Sequence, residues 1–271
     1  MALSYKDILL VSDIDGTLYN KDIGISQRNI DAINRFIRKG GNFTLATGRS
    51  PESIKRIIEM VPISAPAILS NGSAIYDYKN KKFITEHHLT KKAKGYLKKI
   101  LEAFPHVGSE VLSGTKVFVV RMSEYIEEHV TREKVSYTML DLDEAPDEIY
   151  KIFFATDIET LNKIRQFALD NKFEDVYMVQ TEKLYIEMMP AGVSKALGLR
   201  ELAEHLSIKH ENTYAIGDFY NDIDMIKSAG VGVSVENAPE EVKKVAKLVV
   251  GHCNDGAVAD IIEYIEAQIE K

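Results

Sequence analysis

Ile8-Leu9-Leu10-Val11-Ser12-Asp13-Ile14-Asp15-Gly16-Thr17-Leu18 is the stretch whose reading decides the fold. Its first four residues are a short unbroken apolar run, the pattern of a strand buried on both faces in a parallel sheet. The run stops at two aspartates separated by one residue, and Gly16 lets the backbone turn sharply as it leaves the strand. Two carboxylates at a strand end suit a reaction that needs both a nucleophile and a proton carrier. Asp-x-Asp-Gly also opens plain turns and calcium loops. A calcium loop fails on spacing, because its sixth position falls on Leu18 rather than glycine and its twelfth on Gly24 rather than glutamate.

Outward from this strand the chain alternates. Ile30, Ile33 and Ile37 have helical spacing and are followed by a stop at Gly40-Gly41. Residues 42–46 read as a second strand. Ser50-Pro51 is expected to open a helix as cap and first residue, with Ile54, Ile57 and Ile58 as its buried stripe. Ala67-Ile68-Leu69 is a third short strand, ending at Ser70-Asn71-Gly72. Strand and helix in alternation predict an α/β fold with a doubly wound parallel sheet.

Between about 84 and 187 the rhythm lapses. A lysine-rich helix over 91–104, strand-like runs at 117–120 and 150–155, a helix over 161–169 and a hairpin-like pair at 176–179 and 184–188 predict a separate α+β unit. In the helix over 91–104, Lys91, Lys92, Lys94, Lys98 and Lys99 read as a solvated face, and Leu161, Ile164 and Ala168 as core. After Pro190 the alternation resumes. It gives a helix over 194–206, a strand over 213–216 ending at Gly217-Asp218, a helix over 222–229, a strand over 231–235, and helices over 240–246 and 257–269. The expected organisation is a core made of 1–83 and 188–271, with a domain of 84–187 inserted in it.

Bulk properties bound the function. Hydrophobic residues are 45% and charged residues 28% of the 271, the balance of a folded globular protein. A formal charge of -7 disfavours a nucleic-acid partner without excluding a small basic pocket for phosphate. One cysteine, Cys253, excludes an intrachain disulfide and has nothing nearby to activate it. His87-His88 lack metal-binding spacing and are expected at the surface. No apolar stretch nears the ~20 residues that span a bilayer, and the N-terminus carries no cleavable leader pattern, so no membrane partner and a cytoplasmic setting are expected. The sequence sets no oligomeric state.

Three polar clusters stand directly after expected core strands: Asp13 with Asp15, Thr47-Gly48-Arg49, and Gly217-Asp218 with Asn221-Asp222. Ligands of open α/β sheets bind at the carboxyl ends of the strands, so these clusters are expected to meet in one crevice. Asp222, four residues beyond Asp218, can face the same crevice or simply begin a helix. Arg49, placed near an expected helix start, is unfavourable there unless an anion sits beside it. Asn221 reads either as a ligand of the crevice or as a helix cap.

The run from Asp13 to Leu18 resembles the first motif of the haloacid dehalogenase (HAD) superfamily, and the other motifs follow in order. Thr47 matches the hydroxyl residue of the second motif, Lys195 in Gly192-Val193-Ser194-Lys195 the lysine of the third, and Gly217 to Asp222 the acidic fourth. Thr47-Gly48-Arg49, Ser70-Asn71-Gly72 and the position of the inserted unit resemble the Cof-type phosphatases with a C2 cap. That resemblance implies Asp13 as nucleophile forming an aspartyl-phosphate, and Asp15 as general acid and base. It implies Mg2+ held by Asp13, Asp218 and the carbonyl of Asp15, with an all-oxygen ligand set. Thr47 and Lys195 would stabilise the phosphoryl oxygens, and Gly16, Gly48, Arg49, Asn71, Gly72 and Asn221 would line the substrate. Asp222 would orient Lys195 or a water on the metal.

Asp15 separates the branches of the superfamily: a halide leaves without an acid, whereas an alkoxide leaving a phosphate ester needs one. The expected partner is therefore a small-molecule phosphate ester such as a sugar phosphate, its leaving group chosen by cap loops closing over the crevice. A sugar-phosphate mutase and a non-catalytic phosphoester-binding module are the alternatives.

Overall fold

The computed structural model describes residues 3–132 and 134–270. The chain opens with β1 (Leu9–Ser12), α1 (Gln27–Arg38), β2 (Asn42–Leu45), α2 (Lys55–Met60), β3 (Ala67–Leu69), β4 (Ala74–Asp77) and β5 (Lys82–Glu86). Its middle carries α3 (Lys92–Ala103), β6 (Gly108–Ser113), β7 (Lys116–Arg121), α4 (Glu124–Arg132), β8 (Tyr137–Met139), β9 (Lys151–Ala155), α5 (Ile158–Asp170), β10 (Val176–Glu182) and β11 (Tyr185–Pro190). It closes with α6 (Lys195–His205), β12 (Thr213–Gly217), α7 (Ile223–Ser228), β13 (Val231–Val235), α8 (Glu240–Lys243), β14 (Leu248–Val250) and α9 (Ala257–Ile269). The described residues of 1–48, 55–85 and 194–271 form one compact unit, and those of 49–54 and 86–193 another.

In the first unit a five-stranded sheet runs β14-β13-β12-β1-β2, every neighbouring pair parallel. Leu9, Leu10 and Val11 are fully buried, as an apolar run covered on both faces requires. Each such side chain contributes roughly 1.5–3 kcal/mol of burial. Leu199, Leu202 and Met225 from α6 and α7 pack on the Leu9 and Val11 face. The register decides where the chemistry goes. Ser12 lies opposite Ile216 on one side and Leu45 on the other, so the loops after β1, β2 and β12 leave the same edge.

Several local expectations need correction. The buried stripe of α1 is Asn29, Ala32, Ile33 and Phe36, while Ile30 and Ile37 are only half-buried. Asn29 belongs to that stripe because its side-chain oxygen accepts the Ala259 N–H at 2.9 Å, at the start of α9. Ser50-Pro51 does not open a helix: residues 51–54 are turns, and α2 begins at Lys55. Its buried residue is Ile57; Ile54 is buried in the turn, and Ile58 is half-buried. β3 meets the residue after β2 through a bridge between Ala46 and Ile68, and pairs antiparallel with β4 in a separate three-stranded sheet, β3-β4-β5.

The second unit is built on a six-stranded sheet, β10-β11-β9-β6-β7-β8, richer than the two strand pairs and helices expected. α3 and α5 cover one face through Leu97, Ile100, Leu161 and Ile164 against Val111, Ile152, Phe154 and Ile186. Ile126 and Val130 of α4 pack with Val119, Phe153 and Tyr185. β6 hides from a hydrophobic reading because it carries Glu110, which is buried yet satisfied by His129 Nδ1 at 2.8 Å. On β9 and β11, Lys151 and Glu187 form a buried ion pair. Lys92 pairs with Glu174 and Lys94 with Asp147, in keeping with a solvated lysine face. His88, expected at the surface, is half-buried there and stacks on Tyr150 with centroids 4.9 Å apart.

Candidate active site

β1 carries its ladder one residue past the strand, because Asp13 N–H donates to the Ile216 carbonyl at 2.9 Å. This aims the Asp13 side chain at the carboxyl edge of the sheet. Lys195 arrives as the first residue of α6, whose start is set by Ser194 accepting from Leu197 N–H. Lys195 is fully buried, and its Nζ donates to Asp13 Oδ1 at 2.6 Å and to Asp222 Oδ1 at 2.7 Å. One ammonium thus stands between two buried carboxylates, a pairing without which each charge would be costly to bury.

Asp222 meets both of its sequence readings, standing at the start of α7 with its carboxylate on Lys195. Its side chain makes no cap on α7. Instead Oδ2 accepts the N–H groups of Asp218 and Phe219 at 3.1 and 3.0 Å, while Oδ1 holds Lys195. The loop that presents Asp218 is therefore clamped from below. Gly217 is required there, because a Cβ on it would lie 2.5 Å from the Asp222 side chain. Asn221 does not cap the helix either; its Nδ2 donates to Asn71 Oδ1 at 3.1 Å, joining the loops after β12 and β3.

Asp218 meets the loop that follows β1. The buried Thr17 donates through Oγ1 to Asp218 Oδ1 at 3.1 Å, a half-buried contact that sequence reasoning missed. Gly16 sits at φ +83°, and a Cβ there would come 2.3 Å from Asp218 Oδ2. Asp15 is exposed beside this turn, bridged to Tyr19.

Thr47 ties β2 to the turn at 70–72: its N–H donates to the Ile68 carbonyl and its carbonyl accepts the Asn71 N–H, both at 2.9 Å. Asn71 is buried in the left-handed region at φ +53°, which asparagine tolerates better than most residues. Gly48 leaves room for it, since a Cβ there would stand 3.0 Å from Asn71 Nδ2. Gly72, at φ +99°, presses onto the start of α6 so closely that a Cβ would lie 2.1 Å from the Ser194 carbonyl. The fold thus gathers Asp13, Asp15, Gly16, Thr47, Gly48, Asn71, Gly72, Lys195, Asp218, Asn221 and Asp222 in one unit. Arg49 groups with the other unit, and with α2 starting at Lys55 the helix-start argument for it lapses.

Charge at this edge is uneven. Burial pushes the Asp13 carboxyl up to about 7 against the pull of Lys195, with Asp222 and Asp15 adding to the rise. Burial, followed by the negative charges of Asp13 and Asp222, drives Asp218 up to about 9. Lys195 is held above the usual lysine range: burial opposes its charge, but Asp13 and Asp222 outweigh it. One oxygen from each of Asp13, Asp218 and Asp222 lies within 4.8 Å of the others. The oxygens of Asp222 are already engaged by Lys195 and two backbone N–H groups, which leaves Asp13 and Asp218 as donors. Hard carboxylate oxygens in a crowded negative pocket fit a small divalent cation.

Cys253 is buried and its thiol is pushed up by burial, in keeping with an unreactive side chain. Among the described residues no helix is long and apolar enough to cross a membrane.

Residues 10–262 match the family model of the haloacid dehalogenase-like hydrolases. The chain is 29% identical to YkrA of Bacillus subtilis (strain 168), over 93% of this chain and 95% of that protein. It is 25% identical to the pyridoxal phosphate phosphatase YbhA of Escherichia coli (strain K12), over 94% and 97% of the two chains. Among solved structures it resembles a haloacid dehalogenase-like hydrolase from Bacteroides thetaiotaomicron, with a TM-score of 0.84, 27% identity, and coverage of 95% and 99%.

Proposed function

The chain belongs to the haloacid dehalogenase-like hydrolases, and from that premise we propose that it is a Mg2+-dependent phosphatase of small phosphorylated metabolites, sugar phosphates or related monoesters. The observation that carries this reading is the buried Asp13–Lys195–Asp222 array at the sheet edge. Within it a carboxylate nucleophile is held in one orientation, next to a cation suited to phosphoryl oxygens.

In the first step an Asp13 oxygen attacks phosphorus, and the bond from phosphorus to the ester oxygen breaks. Asp15 gives its proton to that leaving oxygen, so the alcohol departs neutral. The product is an aspartyl-phosphate on Asp13. In the second step Asp15, now ionised, takes a proton from water as the water oxygen attacks the same phosphorus, which returns the Asp13 carboxylate and frees inorganic phosphate. Lys195 and Thr47 hold the equatorial oxygens, and Gly16, Gly48, Asn71, Gly72 and Asn221 line the phosphate and leaving group. Asp222 keeps Lys195 in place. Asp13, Asp218 and the carbonyl of Asp15 would hold Mg2+, which supplies charge neutralisation at the transferring phosphoryl group. The exposed Asp15 argues for phosphate esters over halides, since only the ester oxygen needs an acid.

The same proposal assigns catalysis to residues 1–83 and 188–271 and a cap role to 84–187, supported by the separate compactness of 86–193. It includes a cytoplasmic setting. The test is release of phosphate from a panel of phosphomonoesters with Mg2+ and with chelator. Wild-type protein releases phosphate only with the metal, and Asp13→Ala loses at least ~10^3-fold in kcat. Turnover retained by Asp13→Ala would overturn the mechanism.

A further inference from the structure

Thr17 is fully buried in the loop after β1. The turn that carries it is tight: the N–H groups of Thr17, Leu18 and Tyr19 converge on the Ile14 carbonyl at 3.3, 3.0 and 2.7 Å. A β-branched side chain has few rotamers open to it, so this backbone largely fixes where the hydroxyl points. It points at Asp218, donating to Oδ1 at 3.1 Å across 201 positions of sequence. The backbone of Asp218 is held as well, because its N–H donates to Asp222 Oδ2 at 3.1 Å. Oδ2 of Asp218 lies against the turn, where a Cβ on Gly16 would come within 2.3 Å of it. The two oxygens of this carboxylate are therefore unequal. Oδ1 faces a hydroxyl that donates to it, and Oδ2 faces a glycine that leaves it room.

We infer that Thr17 is a positioning residue that makes Asp218 bind the cation through one oxygen, and so favours Mg2+ over Ca2+. The inference rests on the cation assignment in the phosphatase reading above. Mg2+ demands a near-ideal octahedron with bonds of about 2.0–2.1 Å, whereas Ca2+ takes about 6–8 oxygens at about 2.3–2.6 Å and accepts a carboxylate through both of its oxygens. The two oxygens of one carboxylate stand closer together than neighbouring corners of the octahedron, so Mg2+ takes one from each. To chelate Ca2+, Asp218 would have to turn both oxygens to the ion and give up the Thr17 bond. A hydroxyl that holds one oxygen aside thus works against the larger ion and for the smaller. Groups that orient a metal ligand in this way act on affinity without touching the metal.

The experiment measures dissociation constants for Mg2+ and for Ca2+ by isothermal titration calorimetry, without substrate, in wild type, Thr17→Val and Thr17→Ser. Thr17→Val keeps the shape of the buried side chain and removes the donor; Thr17→Ser keeps the donor and removes a methyl group. Thr17→Val is expected to weaken Mg2+ by at least ~10-fold while Ca2+ moves by no more than ~3-fold, so the preference for Mg2+ falls. Thr17→Ser keeps that preference within ~3-fold of wild type, since the hydroxyl remains to orient Asp218. Loss of packing alone would move both ions together and would follow the methyl group rather than the hydroxyl. An unchanged preference in Thr17→Val, or one that falls as far in Thr17→Ser, would overturn the inference while leaving the phosphatase reading standing. Wild-type protein that binds no Mg2+ would overturn the cation assignment and the inference together.

Discussion

Replacing Lys195 by methionine, a side chain of similar length, removes one ammonium and leaves Asp13 and Asp222 facing each other in a buried site. Both had Nζ within 2.7 Å, and the lysine side chain is fully buried. Removing one partner of a buried ion pair costs about 3–5 kcal/mol, because the remaining charge keeps its desolvation penalty. At about 2–4 °C per kcal/mol for a protein of this size, the melting temperature falls by roughly 6–20 °C.

The pH dependence has a definite sign. Asp13 is a carboxyl raised to about 7 from 3.8 even with Lys195 beside it, so without the lysine it rises further. A raised carboxyl leaves stability intact below its unfolded value and removes it as pH climbs toward the folded value. The deficit of Lys195→Met is therefore largest above pH 7 and narrows toward pH 4. The assay is differential scanning calorimetry with EDTA at several values from pH 5 to 8.5. Adding Asp222→Asn to Lys195→Met returns part of the loss, about 1–3 kcal/mol, since the second stranded charge is gone. The reasoning fails if Lys195→Met melts within ~2 °C of wild type at pH 8, or if the two substitutions simply add.

In EDTA, wild-type stability falls as pH rises through the window between 3.8 and the raised values near 7 for Asp13 and 9 for Asp218. Mg2+ therefore lifts the melting temperature more at pH 8.5 than at pH 5.5, and Asp218→Asn removes most of that lift; an equal lift at both pH values refutes the link. Gly72→Ala combines φ +99° with a Cβ 2.1 Å from the Ser194 carbonyl. It costs about 2–4 kcal/mol in urea unfolding and lowers activity by shifting the start of α6. In the second unit, Lys151→Met takes the ammonium away from the buried Glu187 and costs about 3–5 kcal/mol. Lys151→Met with Glu187→Leu restores most of it, as measured by the same denaturant midpoint.

Sequence alone made the first unit legible because its signals are local and dense. Four apolar residues before Asp13 read as a fully buried strand, and the serine before Lys195 read as a helix start; both are found so. The gathering at one sheet edge followed from strand order, without any side-chain geometry. What escaped reading was tertiary. Thr17 and Asn237 look like ordinary loop residues, and only the folding of distant segments brings them to Asp218 and Gly16. Asp222 offered two readings because nothing local shows which way its carboxylate turns. β6 and α4 were missed because their composition is mixed: the buried Ser109 and Glu110 interrupt the apolar pattern of the strand, and Ile126 and Val130 are the buried residues of α4, amid charges. The buried Glu110 is intelligible only once His129 stands beside it. Ser50-Pro51 misled in the other direction, a good cap signal with no helix taking it up.

β1 lies between β2, close in sequence, and β12, which the chain reaches only some two hundred residues later. During synthesis this has a consequence for timing. Strand β1 can take β2 as a neighbour early, but its other edge stays open until residue 217 has left the ribosome. The strands of the intervening unit all find their partners within residues 108–190, so their pairing waits for nothing beyond residue 190. The inserted segment therefore matures while the two halves of the central sheet are still apart. Asp13 gains Lys195 and Asp218 only after the whole intervening segment has been made. A chain that stops before residue 195 holds Asp13, Asp15 and Thr47 but neither Lys195 nor Asp218.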